Sequence, residues 1–143
     1  MVLGIVIVDH GSRREESNSV VVETAAAFAR RFEKLFAIVE PAHMELAEPS
    51  IAQAYARCAE RGATRIVVVP FFLGPGKHWS QDIPQLTAAA AAAFPGTRAL
   101  VADPLGPDDL LLQLLARRVN LCLERAQSIL DRETIEPETS HVG

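Results

Sequence analysis

A single α/β domain, with a four-stranded parallel sheet and helices on both faces, is the fold class this chain predicts. Three observations carry that prediction. Four short apolar runs rich in β-branched residues suit strands buried on both faces. Apolar residues recur at helical spacing between them, and the resulting order β-α-β-α-β-α-β-α implies one parallel sheet with right-handed crossovers. The length of 143 residues, 49% apolar and 22% charged, supplies one core and too little for two ordinary domains.

Taken in order, Val2–Val8 is the first strand and the Gly-containing stretch Asp9–Ser17 a loop. Val21, Ala25, Phe28, Phe32 and Leu35 then fall on one stripe of an amphipathic helix. Phe36–Ala42 is a weaker second strand leading into the loop His43–Glu48. Pro49 fits a first helical turn, Ile51, Tyr55 and Cys58 form the buried stripe, and Gly62 closes that helix. Arg65–Pro70 is the clearest strand, followed by the Gly/Pro-punctuated loop Phe71–Ser80. Asp82 and Gln85 are spaced as a capping box for a helix through Phe94, with Pro84 tolerated early. Arg98–Ala102 is the fourth strand. Pro107, Asp108 and Asp109 open the last helix with negative charge at its positive end, and Arg117, Arg118 and Arg125 lie toward its close. The domain is expected over residues 1–126, with a polar, flexible tail, disordered or loosely docked, over 127–143 and no internal repeat.

Composition excludes several classes. A formal net charge of −4 argues against a general nucleic-acid binder, which needs a basic face to neutralise phosphates. A few local arginines can still dominate one cleft. Cys58 and Cys122 stand alone without a CxxC, so each is expected to be a buried thiol, and neither a zinc ribbon nor an iron–sulfur cluster is expected. No apolar run reaches spanning length and no basic n-region precedes the first strand. The chain is therefore expected to be cytoplasmic, with no membrane partner.

The residues with chemistry stand at strand ends. His10 follows the first strand and His78 lies in the loop after the third; in a parallel sheet, such loops meet on one edge, where ligands bind. Imidazole is both the commonest metal ligand and a proton carrier near neutral pH. The plain alternatives are a strand-end histidine and an exposed loop histidine; the shared edge raises the functional reading of both. Glu45 and Glu48 follow the second strand. Glu48 adjoins a helix start, where the dipole favours a carboxylate, which leaves Glu45 as the better partner for a His/His/Glu set. Gly11 lets the backbone approach a ligand closely, and Arg13 and Arg14 can fork onto carboxylates or phosphates. His43 reads as a packed or exposed structural histidine and His141, in the tail, as passive.

Two look-alikes fail. Gly74–Lys77 ends in Gly-Lys, but His78 replaces the Ser/Thr that a phosphate loop uses on magnesium. Asp9-His10-Gly11 imitates the Arg-His-Gly of histidine phosphatases, yet Asp9 would repel the phosphate that the arginine clamps.

Three segments, VDHGSRREESN, MELAEPSI and VPFFLGPGKHWSQDIP, resemble the short sirohydrochlorin chelatases, the CbiX/SirB-type class II enzymes. The resemblance runs from about Val2 to Ala126 and implies a chelatase-like α/β domain. It also implies insertion of ferrous iron (for siroheme) or cobalt (for cobalamin) into a sirohydrochlorin-like tetrapyrrole. His10 and His78 match the family's metal-binding and catalytic histidines, and Glu45 its acidic partner. Larger members hold two similar halves across a cleft. One half here implies a homodimer, with which the broad apolar surface of the last helix is compatible; burial within one chain is equally consistent. The FFLGPGKHW…DIP stretch looks most like siroheme-branch members from cyanobacteria and plastids, some of which carry a C-terminal cysteine cluster; no cysteine follows Cys122 here.

The implied chemistry is the loss of two pyrrole protons as a divalent metal enters. Two imidazoles and a carboxylate hold an ion without trapping it, as thiolates would, and can accept protons. No tightly bound cofactor is expected; the metal is a substrate. Ser12, Arg13, Arg14 and Lys77 are the candidates to hold the substrate's peripheral carboxylates. A metal carrier or sensor using the same His/Glu set is the alternative, and it needs no anion-binding arginines.

Overall fold

The computed structural model describes residues 1–76 and 79–135. Its elements are β1 (Leu3–Asp9), α1 (Glu15–Arg31), β2 (Ile38–His43), α2 (Ile51–Glu60), β3 (Arg65–Pro70), α3 (Trp79–Ala92), β4 (Arg98–Val101) and α4 (Asp109–Ile135). The chain divides into two compact units, Met1–Pro107 and Asp108–Gly143.

The first unit is a four-stranded sheet in the order β2-β1-β3-β4, parallel throughout. β1 is central and buried along Gly4–Val8, as its unbroken apolar run requires. Val6 and Val8 face one side, where they join Ile66, Val68, Ile51, Tyr55 and Ile83 in a core beneath α2 and α3. Ile5 and Ile7 face the other and pack with Val21 and Ala25 of α1. Tyr55, fully buried, reaches Thr97 Oγ1 at 2.6 Å. Thr97 itself donates to the Phe94 carbonyl, so the tyrosine hydroxyl is the donor in that pair.

The order places a topological switch between β1 and β3. The chain leaves β1 toward α1 on one face and β3 toward α3 on the other, and a crevice opens where the two loops diverge. β1 and β3 run in register from Leu3↔Arg65 to Val8↔Pro70, so both loops depart at the same level.

Several local expectations shift. α1 starts at Glu15, inside the stretch expected as a loop, with Glu15 and Glu16 in its first turn. Leu35 lies beyond the helix and is exposed, and Phe32 is its C-cap, so the stripe within the helix ends at Phe28, which stacks on Phe36 at 5.3 Å. α2 is capped by Ser50 rather than begun at Pro49: Ser50 Oγ accepts from the Gln53 amide, and the Gln53 side chain accepts from Ser50 N. α3 begins at Trp79, so Asp82 sits inside its first turn and not at a cap. The cause is tertiary. The Trp79 ring stacks on Phe72 at 4.5 Å and packs against the core, which draws the first turn back toward β3.

In the second unit, Asp108 Oδ1 caps α4 by accepting from the Leu110 amide at 2.9 Å. The helix continues past Arg132 to Ile135. Its leucines other than the half-buried Leu111 are exposed in the single chain, and so is Cys122, contrary to the buried thiol expected there. Cys58 is buried as expected.

Candidate active site

The carboxyl edge of β1 and β2 brings two of the sequence-identified residues into contact. His10, one residue past β1, places Nε2 at 2.9 Å from Glu45 Oε1, two residues past β2. Both side chains are half exposed, at 56% and 53%, so a ligand can reach them from solvent.

Backbone geometry sets this contact. The Met44 amide donates to the Asp9 carbonyl and the Glu45 amide to the His10 carbonyl, which continues the β1–β2 pairing beyond the strands. Gly11 has φ +91°, and a Cβ there would collide with the Glu45 carbonyl oxygen. Glycine is thus required for the close approach of these two backbone segments. Leu46, with φ 67°, turns the chain just after Glu45. The loop closes where the His43 amide donates to the Pro49 carbonyl at 2.8 Å. Glu48 lies at the mouth of α2 and accepts from Gln53 Nε2, the structural role its position suggests.

Ser12, Arg13 and Arg14 follow on the same edge. Ser12 is fixed by Asn18, which accepts from its amide and donates to its carbonyl, while its hydroxyl accepts from the Arg14 amide. Arg13 and Arg14 are exposed, and neither forms a salt bridge among the described residues. His78 and Lys77 lie outside the described residues. Among the described residues no three metal-ligating side chains converge; His10 and Glu45 form a two-donor set.

Three neighbours were not singled out from sequence for this site. Asp82 and Gln85 of α3 line a cavity of about 330 Å³ together with Met44, Glu45 and Leu86. Their i, i+3 spacing just after His78 was the available signal, and it resembles a cap equally well. Asp9 is the third. Its Oδ1 lies 2.6 Å from Nδ1 of His43, which is 1% exposed. Both residues close their strands, but only the β1–β2 register, Asp9↔His43, makes them partners.

Comparison with known proteins gives a consistent set of likenesses. The CbiX family matches residues 4–121. The chain is 52% identical over 128 residues to the chloroplastic sirohydrochlorin ferrochelatase of Arabidopsis thaliana, covering 90% of this chain and 56% of that protein. It is 31% identical over 116 residues to the sirohydrochlorin cobaltochelatase of Sulfurisphaera tokodaii, covering 81% of this chain and 90% of that protein. Among solved structures, SirB from Bacillus subtilis with Fe3+ superposes with a TM-score of 0.70 at 31% identity, over 82% of this chain and 46% of that one. The chain therefore spans about half the length of the Arabidopsis and Bacillus proteins.

Proposed function

We propose, because this chain belongs to the CbiX family of CbiX/SirB-type class II sirohydrochlorin chelatases, that it inserts ferrous iron into a sirohydrochlorin-like tetrapyrrole. The observation that carries the proposal is the solvent-accessible His10–Glu45 contact at the carboxyl edge of the central strand. His10 Nε2 and Glu45 Oε1 share one hydrogen at 2.9 Å, and a divalent ion entering between them takes that hydrogen's place. A nitrogen and an oxygen donor of intermediate hardness suit ferrous iron and cobalt, and hold either loosely enough to pass on. His78 is assigned as the third donor. As the ion moves onto the ring nitrogens, two pyrrole N–H bonds break and two protons leave. The histidine and carboxylate freed by the departing metal are assigned to accept them.

The choice of iron over cobalt is supported by the 52% identity over 128 residues to a ferrochelatase, against 46% over a shorter stretch of 82 residues to a cobaltochelatase. Arg13, Arg14, Ser12 and Lys77 are assigned to the peripheral carboxylates of the substrate. The two arginines are exposed on the site's own edge, and a guanidinium forks onto a carboxylate.

The test is direct. Purified protein is mixed with sirohydrochlorin and either Fe2+ or Co2+, and metalation is followed by absorbance. The wild type is expected to insert Fe2+ faster than the uncatalysed control, and His10→Ala to fall to the control rate while remaining folded. Tight Co2+ or Fe2+ binding with no insertion would support a metal carrier instead.

A further inference from the structure

The Asp9–His43 pair is buried out of proportion to any use the reaction makes of it. Among the described residues His43, 1% exposed, is the one buried side chain of the His, Asp, Glu, Lys and Arg types. Its Nδ1 meets Asp9 Oδ1 at 2.6 Å, short for a nitrogen–oxygen hydrogen bond, with the ring donating to the carboxylate. Asp9 is itself 19% exposed, so the pair closes the sheet edge from just below the surface. Both stand on the sheet face covered by α1, where His43 borders a cavity of about 460 Å³ with Ser12, Arg13, Asn18 and Leu46.

What the pair holds is the base of the site. Asp9 precedes His10 directly, and His43 precedes Glu45 by two residues. The Asp9 carbonyl receives the Met44 amide, and the His43 amide is spent on Pro49, so both backbones are fixed on either side of the side-chain bond. The His10–Glu45 contact has no other side-chain tie beneath it among the described residues. We infer that Asp9 and His43 are positioning residues: their cross-strand hydrogen bond locks the ends of β1 and β2 so that His10 and Glu45 present their donors together. The inference rests on the reading of His10 and Glu45 as metal ligands. A donor pair on two adjacent loops binds a metal well only when the loops are pre-set; hydrogen bonds made directly to metal ligands are worth about 10- to 100-fold in affinity, and a bond one step removed is expected at the low end of that range.

The experiment compares wild type, His43→Leu and His43→Asn, with Co2+ alone as the probe, read by its visible absorbance. Sirohydrochlorin metalation is measured alongside. His43→Leu keeps the buried volume but removes the donor. It is expected to weaken Co2+ binding by about tenfold and to raise KM for the metal, while KM for sirohydrochlorin stays within about twofold. His43→Asn places an amide donor near the Nδ1 position and is expected to recover most of the loss. A folded His43→Leu with wild-type Co2+ affinity overturns the inference, as does an Asn variant no better than Leu. If His43→Leu does not fold, Asp9→Ala removes the acceptor from the more exposed side and decides in its place; unchanged Co2+ affinity there overturns the inference equally. A wild type that binds Co2+ but inserts no metal overturns the chelatase reading alone, and the Co2+ comparison still decides positioning. A wild type without Co2+ affinity overturns both.

Discussion

At the scale of single residues, Gly11 and Cys58 carry the sharpest consequences. Gly11 sits at φ +91° against the Glu45 carbonyl, so an alanine meets both a strained backbone, costing about 1–3 kcal/mol, and a collision. Because Gly11 lies outside both core clusters, Gly11→Ala is expected to fold yet to lose most metal binding. Co2+ titration beside a thermal melt checks this, and wild-type affinity in the variant would remove the backbone constraint. Cys58 behaves differently. Burial pushes its thiol from an ordinary 9.0 up to about 12, with Glu40 acting in the same direction and Arg61 opposing. The folded chain therefore holds this proton longer than the unfolded chain does. The stabilisation is complete below about pH 9 and is lost as pH rises toward 12. Urea unfolding of wild type and Cys58→Ala across that window is expected to show a shallower alkaline decline in the variant. The same burial predicts that a thiol reagent labels exposed Cys122 while sparing Cys58 in the folded protein.

At the scale of elements, boundaries follow caps and side-chain anchors. α2 owes its start to the reciprocal Ser50–Gln53 box. Ser50→Ala is expected to cost about 1 kcal/mol in chemical denaturation, the usual worth of such a cap. His43 also pairs with Ser50 through an isolated bridge, so the cap closes the loop that carries Glu45. A lower metal affinity in Ser50→Ala, beyond the loss of stability, is the companion expectation. α3 answers to a different anchor: the Phe72–Trp79 stack brackets the loop between β3 and α3 and overrides the Asp82/Gln85 spacing that locally imitates a helix start.

At the scale of the whole molecule the question is assembly, and we propose that a second copy of this chain packs against it as a homodimer. Two apolar regions favour that proposal. On the sheet face packed by α1, Val67 and Val69 are only part-buried and Leu100 is 42% exposed. On α4, Leu115, Val119 and Leu123 recur at four-residue spacing and are all exposed in the single chain. Light scattering is expected to give about twice the 15.5 kDa chain mass. Leu115→Glu with Leu123→Glu is expected to shift the protein to monomer and lower metalation with it. A monomeric wild type with full activity would overturn the proposal.

The sequence by itself determined the fold class and the four strands, and it singled out His10 and Glu45, which the structure brings into contact. Unbroken β-branched runs such as Val2–Val8 and Arg65–Pro70 have few other ways to be buried, and a histidine one residue past such a run must fall on the carboxyl edge. It also separated Glu45 from Glu48, since a carboxylate beside a helix start has a structural use of its own. Tertiary structure alone decided the rest. The Asp9–His43 bond exists because two strands 34 positions apart pair in one register, and no local pattern encodes a register. Gly11 meets the Glu45 backbone oxygen for the same reason, and Trp79 starts α3 early because its stacking partner lies beyond β3. Pattern in a sequence reports what each segment buries; which segments then meet is settled only when the sheet has formed.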